Sequence, residues 1–371
     1  MNTRRLTQFL QRMPWHIIWL LTAIVAIGVI LQIDAADGHW GPYAWRHAAR
    51  FGIGLGIIMV ILMLSPRQIM QLSLVGYFVC LALLLVVELL GHTAGGAQSW
   101  LKLGFINVQP SEIMRLAMIM VMAQFYHMIS LQEASKTINV VIAAAIVFLP
   151  VGIIILQPDL GTAMMLMITG VGVMFAAGVR WRWFIAAFGG ALALLPLVWM
   201  FILHDYQQRR VLSFLNPESD PLGAGYHVLQ SKIAIGSAGF FGKGFLGGTQ
   251  AHLKFLPEKH TDFIFTLLTE DFGLFGALIL MTLLVLLIIS CVRVAMRTRN
   301  HFMAVTVMGV TWSIFAYTMV NLAMAMGLMP VVGVPLPFVS YGGSSLLTFM
   351  AGMGLVIHAH VYRDERLPGL G

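Results

Sequence analysis

The chain has 371 residues, of which 59% are hydrophobic and only 10% are charged. Soluble domains carry roughly 25% charged residues, so this composition excludes a soluble globular protein and predicts an integral membrane protein. The formal net charge of +7 does not indicate a nucleic-acid-binding protein, because the basic residues are scattered between apolar runs.

Ten apolar runs approach the length of about 20 residues that an α-helix needs to cross a bilayer. In chain order they cover 15–33, 48–64, 72–90, 112–131, 138–156, 161–178, 183–203, 263–291, 302–326 and 343–361. We therefore predict an all-α integral membrane fold of about ten transmembrane helices, forming one polytopic domain over residues 1–371. The first run follows three arginines, as in a signal peptide, but its length favours an uncleaved helix.

Basic residues in short loops predict the orientation, because such residues accumulate on the cytoplasmic side. One set of loops holds twelve of them: Arg4, Arg5, Arg12, Arg67, Lys136, Arg180, Arg182, Arg293, Arg297, Arg299, Arg363 and Arg366. The opposite short loops hold three: Arg46, Arg50 and Lys102. Both termini are therefore predicted to be cytoplasmic.

The same orientation makes the long segment 204–262, between the seventh and eighth spans, extracytoplasmic. Loops of this length in compact folds are usually functional or disordered. This one is too rich in apolar residues for a disordered linker, and residues 228–235 are compatible with an amphipathic surface helix. We predict a structured loop that contributes to a functional site.

Asp262 is the leading candidate for a catalytic residue, because it lies where the long loop enters the apolar run 263–291. A carboxylate at the edge of the hydrocarbon region is costly and therefore often functional. Aspartate is also a favoured helix N-cap, and local sequence alone favours the cap over catalysis. One side chain could serve both roles.

Glu112 and Arg115 form a second candidate site at the start of the run 112–131. Their i, i+3 spacing lets the arginine neutralise the glutamate on one helix face. A structural ion pair and a site in which Arg115 helps to bind a phosphate are both compatible with this pattern.

Two further segments could contribute to a site. Asp159 lies in a Pro-Asp-Leu-Gly turn, where it could act as a turn and cap residue or form the rim of a substrate cavity. Gly242-x-Gly244-x-x-Gly247 matches the dinucleotide-binding spacing, but no strand precedes it, so we reject that interpretation. Its glycines and Lys243 could still bind an anionic group.

The last connection, residues 330–344, is rich in proline and glycine and interrupts helicity on the predicted outer side. Irregular backbone at membrane depth must line a cavity or be buried in protein. His358 and His360 follow near the cytoplasmic end of the last span, without the cysteine or carboxylate partners that would indicate a metal site.

The order and length of these motifs resemble the SEDS family (shape, elongation, division and sporulation), and the resemblance covers nearly the whole chain. The matching segments are 109–112, 157–162, 216–227, 230–237, 255–264 and 330–344. The segment 216–223 and the short termini look more like the elongation branch than the division branch.

The resemblance implies a glycosyltransferase that polymerises lipid II into peptidoglycan during cell elongation and rod-shape maintenance, in the bacterial cytoplasmic (inner) membrane. It implies that Asp262 matches the family's essential extracytoplasmic acid, which reverses the local preference for a cap. Glu112 and Asp159 match acids of the family, and Arg210 and Lys232 match basic positions of its large loop. Expected partners are a class B penicillin-binding protein and other membrane proteins of the elongation complex.

Two positions depart from the family pattern. Arg115 occupies a position that is usually lysine, and Ser99 precedes Trp100 where the family tends to have arginine. The ion pair of Arg115 should persist with altered geometry, because a planar guanidinium replaces a compact ammonium. A cationic role at the outer position of Ser99 is in doubt.

The expected reaction converts an α-linked pyrophosphate donor into a β-1,4 linkage, which is a single inversion. A general base, Asp262, would accept the proton of the attacking hydroxyl. Cations among Arg210, Lys232, Lys243 and Arg115 would stabilise the charge of the leaving pyrophosphate. The sequence requires no cofactor, although a divalent cation could assist.

Two alternatives from other classes are a flippase for lipid-linked precursors and a non-catalytic scaffold for a transpeptidase. A flippase would place charged residues along a path on both sides of the midplane. Here the acids that are not at the cytoplasmic face cluster towards the outer side. Among them only Glu270 and Asp271 lie deeper in the predicted membrane. A scaffold would leave the basic loop and Asp262 without a purpose.

Overall fold

The computed structural model describes residues 12–94, 97–103, 106–201, 208, 211–214, 224–252, 259–365 and 367. In this part of the chain the fold is almost entirely helical. Its helices, in chain order, are α1 (Trp15–Ala35), α2 (Ala44–Met63), α3 (Pro66–Leu90), α4 (Pro110–His127), α5 (Thr137–Leu156), α6 (Leu160–Ala176), α7 (Trp181–Phe201), α8 (Ala224–Ser237), α9 (Thr249–His252), α10 (Ile264–Arg297), α11 (His301–Ala325) and α12 (Gly343–Val361).

Eight of the described helices are long and apolar enough to cross a membrane: α1, α2, α3, α5, α7, α10, α11 and α12. Helices α4 and α6 coincide with the other two predicted spans. Helix α6 is apolar but has only 17 residues, and α4 carries Glu112 and Arg115 in its first turns. The all-α membrane fold is confirmed, whereas the count of ten spans stays a prediction.

A small antiparallel sheet joins α3 to α4 and was not predicted. Its strands are β1 (His92–Ala94), β2 (Ala97–Leu103) and β3 (Ile106–Val108), in the order β1-β2-β3. His92 pairs with Trp100, and Leu101 pairs with Val108. These runs of three to seven residues are far shorter than a membrane span, so a search for span-length apolar runs passes over them.

The core lies around α11 and α12, which are the most buried of the candidate spans. Helix α12 packs on α2, and α11 packs on α6, α10 and α4. Helix α7 contributes no buried residue. Helices α11 and α12 therefore form the centre of the described bundle, and both pack against α10.

Helix α10 is interrupted at Gly273, whose φ of 66° and ψ of −164° are non-helical. The segment that follows α8 fits against this break: Leu274 N–H donates to the Gly239 carbonyl at 3.1 Å, and Phe275 N–H donates to the Phe240 carbonyl at 3.0 Å. A side chain at residue 273 would collide with the backbone of Gly242 and Phe240, so glycine satisfies both the conformation and the close approach.

The described part of segment 204–262 is structured, as predicted. The predicted helix 228–235 lies within α8. Ser231 Oγ on α8 is 2.6 Å from Thr266 Oγ1 on α10 and donates to the Ala325 carbonyl at 2.6 Å. The segment thus packs on α10 and on the end of α11.

Candidate active site

The 330–344 loop holds the segment that contains Asp262 through main-chain hydrogen bonds. Ser340 Oγ donates to the Thr261 carbonyl at 2.6 Å, and Tyr341 N–H donates to the His260 carbonyl at 2.9 Å. Gln32 Nε2 on α1 also donates to the His260 carbonyl, at 3.2 Å. The approach to α10 is therefore fixed by two separate parts of the fold.

Asn321 on α11 joins Asp262 to the same loop. Its Nδ2 donates to the Asp262 carbonyl at 2.9 Å and to the Val334 carbonyl at 2.7 Å, and the side chain is fully buried. Buried amides of this kind fix a unique backbone arrangement, because an unpaired carbonyl in a dry site is costly. Asn321 therefore sets the position of the Asp262 main chain.

The Asp262 side chain is partly exposed and lies beside Gly333. A methyl group on Gly333 would be 3.7 Å from Asp262 Oδ2. Helix α10 begins at Ile264 with Phe263 as its N-cap residue and no side-chain cap hydrogen bond. The N-cap interpretation of Asp262 is therefore wrong, and the carboxylate is placed at the edge of the loop.

Aromatic side chains form one wall next to this segment. The rings of Tyr43 and His260 stack with centroids 4.6 Å apart, and Tyr341 meets Tyr43 edge-on at 5.1 Å. The Arg50 guanidinium lies 4.6 Å from the centre of the Tyr341 ring. His47 Nε2 is 3.1 Å from the Phe338 carbonyl. Helix α2 thus supports the 330–344 loop and brings a cation to the same side.

The predicted turn at Asp159 borders the same loop. Asp159 caps α6, because Thr162 N–H donates to Oδ1 at 3.0 Å and Thr162 Oγ1 donates to Oδ2 at 2.8 Å. Gln109 Nε2 also donates to Oδ2, at 3.2 Å. A side chain on Gly161 would collide with the Val332 carbonyl. The cap role is confirmed, and a role at a cavity rim stays a prediction.

Glu112 and Arg115 form a buried ion pair inside the bundle. The Arg115 Nη2 to Glu112 Oε2 distance is 2.8 Å, and their side chains are 2% and 5% exposed. The guanidinium also lies 4.2 Å from the ring centres of Tyr317 and Phe349. We call these four residues the ion-pair cluster. The structural pairing is confirmed, and a direct contact with substrate stays a prediction.

The basic positions of the long loop lie in different places. Lys232 is exposed on α8, and its side chain lies over Gly327, just beyond the end of α11. Its neighbour Ser231 bonds to Thr266, one turn beyond Asp262, so Lys232 is held near the N-terminal end of α10. Arg210 lies outside the described residues, as does the motif 216–223.

Lys243 is occupied by a different interaction. Its Nζ is 2.8 Å from Glu270 Oε1 and donates to Thr249 Oγ1 at 2.9 Å. Its backbone N–H donates to the Glu270 carbonyl, and Gly244 N–H donates to the Asp271 carbonyl. Lys243 therefore ties the long loop to the break in α10. Its predicted contact with an anionic substrate stays a prediction.

Two features of the site were missed in the sequence. Asn321 was readable as a polar residue within the apolar run 302–326, and such residues are usually paired and functional. Tyr43 and Tyr341 carried no local signal, since their contact joins segments nearly 300 positions apart.

Among the residues that the structure describes, no group of three or more His, Cys, Asp or Glu could hold a metal ion.

Comparison with protein families matches residues 11–365 to the family of FtsW, RodA and SpoVE, described as cell cycle proteins. Over 350 residues the chain is 44% identical to the peptidoglycan glycosyltransferase MrdB of Escherichia coli K12, covering 94% of both chains. It is 34% identical to the stage V sporulation protein E of Bacillus subtilis, covering 91% of this chain and 94% of that protein.

Solved structures agree with this relationship. A chain from a peptidoglycan synthase complex, studied for the coordination of polymerisation and crosslinking, has a TM-score of 0.84 and 30% identity, covering 95% of this chain and 99% of that chain. The rod shape determining protein RodA of Thermus thermophilus has a TM-score of 0.71 and 27% identity, covering 95% and 98%.

Proposed function

This chain belongs to the cell cycle protein family of FtsW, RodA and SpoVE, and from that premise we propose that it polymerises lipid II into glycan strands. It is a peptidoglycan glycosyltransferase of cell elongation, as its similarity to MrdB and RodA supports. The observation that carries the proposed mechanism is the placement of Asp262 at the edge of the 330–344 loop, partly exposed and with its main chain fixed.

In the proposed reaction Asp262 is the general base. The sugar 4-hydroxyl of the acceptor attacks the anomeric carbon of the donor and gives its proton to the Asp262 carboxylate. The bond between the anomeric carbon and the pyrophosphate oxygen breaks, and undecaprenyl pyrophosphate leaves with both electrons of that bond. One displacement inverts the configuration and gives the β-1,4 linkage.

Cations near the outer end of α10 would stabilise the leaving pyrophosphate, since fixed charges act strongly where charge develops. We assign this role first to Lys232, which is exposed on α8 next to the Ser231 that contacts Thr266, and to Arg210 by family resemblance. Arg115 and Lys243 are secondary candidates, because each is already paired with a carboxylate. A divalent cation remains an expectation that no described ligand group requires.

The direct test is Asp262→Asn, which keeps the size of the side chain and removes the base. We expect polymerisation to fall by about 10²–10⁴-fold, the usual contribution of a general base. Purified protein with labelled lipid II, its products resolved on a gel, measures this. Asp364→Asn is the matched control, because Asp364 is an exposed aspartate at the other end of the molecule.

Glycan chains of normal yield and length from Asp262→Asn would remove Asp262 from the role of base. The same preparations in sealed vesicles test the flippase alternative through translocation of a lipid-linked precursor. Translocation without polymerisation by the wild type would replace the proposed function. A scaffold would show neither activity while still binding a transpeptidase.

The proposal includes the cellular setting. We propose a bacterial inner-membrane location with both termini cytoplasmic and the active site outside. Residues 12–16 and 360–363 lie together around one cavity, which supports placing the two ends of the chain on one side. We also propose a class B penicillin-binding protein as partner, because the structural relative from a synthase complex combines polymerisation with crosslinking.

A further inference from the structure

A basic cavity lies at the end of the molecule opposite Asp262. It has a volume of about 210 Å³ and is lined by Arg12, Met13, Pro14, His16, His360 and Arg363. None of the described lining residues is acidic. Arg297, in the last turn of α10, is within electrostatic range of His360. The start of α1 and the ends of α10 and α12 thus bring basic groups together around one opening.

Among the residues that the structure describes, the charges of this cavity are not neutralised by close ion pairs with strongly buried carboxylates. Arg363 pairs with Asp364, whose Oδ2 is 3.9 Å from Nε, and the two side chains are 43% and 60% exposed. A pair of that length and exposure is worth little. Favourable placement of Arg297 at the C-terminus of α10 accounts for some of this charge. It does not account for Arg12 and His16, which lie at the start of α1.

The position of two tryptophans indicates that the cavity lies near the lipid headgroups. Trp15 and Trp19, on the first turns of α1, are 49% and 70% exposed. Exposed tryptophans at the end of a spanning helix mark the membrane–water interface. The side is the one that the distribution of basic residues predicts to be cytoplasmic, where the leaflet carries anionic lipids.

We propose that this cavity binds the phosphodiester headgroup of an anionic phospholipid on the cytoplasmic side. Arg12 and Arg363 would contact the phosphate oxygens through charge-assisted hydrogen bonds, with His16 and His360 completing the wall. The acyl chains would extend along the apolar surface of α1 beside Trp19. The bound lipid would hold the first and last helices together at a point far from the polymerase site.

The test uses the full-length wild-type protein in detergent and native mass spectrometry with phosphatidylglycerol or phosphatidylcholine at equal concentration. We expect phosphatidylglycerol to be retained at least about fivefold better, since each basic side chain near the surface favours an anionic lipid several-fold. In the double variant Arg12→Gln/Arg363→Gln we expect this preference to disappear, so that the two lipids are retained about equally.

The matched control is Arg180→Gln/Arg182→Gln. It removes the same charge from the same predicted side, and both arginines are exposed away from the cavity residues. The control should keep the wild-type preference. An equal loss in the control would show a general charge effect and overturn the proposal.

Two further results would also overturn the proposal. One is an equal retention of both lipids by the wild type, a measurement that needs no variant to fold. The other is displacement of phosphatidylglycerol by millimolar inorganic phosphate, which would indicate a site for free anions. Polymerisation of lipid II by both double variants should equal that of the wild type, so failure here is separate from failure of the proposed polymerase function.

Discussion

Asp262 and the ion-pair cluster show two ways to hold a carboxylate in this membrane protein. Asp262 is partly exposed at a loop edge, and what is fixed is its backbone, through Asn321 and the 330–344 loop. Glu112 is buried, and its charge is matched by Arg115 at 2.8 Å. The first arrangement leaves a group that can meet a substrate, and the second buries a neutralised pair on α4 whose guanidinium packs on rings of α11 and α12.

The difference follows from the cost of taking an ion out of water. A buried carboxylate needs a counter-charge because desolvation costs several kcal/mol, so the pair is committed to its own partner. A carboxylate at the edge of a loop avoids most of that cost and keeps its capacity to accept a proton. These properties fit Asp262 for the proposed chemical role and Glu112 for an architectural one.

The largest stability effect should come from breaking the ion-pair cluster. Glu112→Ala leaves the Arg115 guanidinium buried without its carboxylate, and we expect a loss of about 3–5 kcal/mol in the free energy of unfolding. Thermal unfolding of the purified protein in detergent measures the loss. Asp262→Asn, at the partly exposed site, should change the unfolding midpoint little.

Glu133→Ala is the matched control for Glu112→Ala. Glu133 and Lys136 form an ion pair with the same i, i+3 spacing, but their side chains are 41% and 58% exposed. Exposed pairs contribute about 0–1 kcal/mol, so the control should unfold close to the wild type. Equal losses in the two variants would mean that the Glu112–Arg115 pair is not the architectural element described here.

Replacing Asn321 should lower the free energy of unfolding by less than breaking the ion-pair cluster does, but it should strongly reduce polymerisation. Asn321→Leu removes the donor to the carbonyls of Asp262 and Val334, at a cost of about 1–3 kcal/mol. Because the loop and Asp262 lose their common support, we expect polymerisation to fall by about 10²-fold, the usual consequence of misplacement by about 1 Å. A lipid II polymerisation assay at saturating substrate measures it.

Asn300→Ala separates positioning from general destabilisation. Asn300 is also buried, caps α11 at its other end, and should cost about 1 kcal/mol when replaced. The control should therefore retain polymerisation near the wild-type level. Comparable losses of activity in both variants would show that Asn321 acts only through stability.

The sequence was sufficient for the elements whose signal is local. Span-length apolar runs placed the long helices, most closely in α12, where the predicted run 343–361 matches the observed Gly343–Val361, whereas the start of α3 and the end of α10 extend further than predicted. The i, i+3 pairing of Glu112 and Arg115 and the cap at Asp159 were also readable, because each depends on residues within one turn.

Elements that depend on distant contacts could not be predicted. The break of α10 at Gly273 is held by the loop residues Gly239 and Phe240, and nothing in the run 263–291 indicates that approach. Lys243 was considered for binding an anionic group, because its ion-pair partner, Glu270, lies 27 positions further along the chain and gives no local signal. Local sequence rules favoured Asp262 as the N-cap of α10. In the folded protein Phe263 occupies the N-cap position instead.

The smallest expected effect comes from Arg115→Lys, which restores the residue that is usual in the resembling family. An ammonium can still pair with Glu112 at this spacing, so the charge of the buried carboxylate stays matched. It cannot stack as a plane between Tyr317 and Phe349, whose ring centres lie 4.2 Å from the guanidinium. We expect a loss of about 1 kcal/mol from weaker cation–π contacts, with polymerisation within about twofold of the wild type.

The unfolding midpoint and the lipid II assay together measure this. A loss as large as that of Glu112→Ala would mean that the flat guanidinium, rather than charge neutralisation, holds these helices, whereas a selective loss of polymerisation would move Arg115 into the site of Asp262.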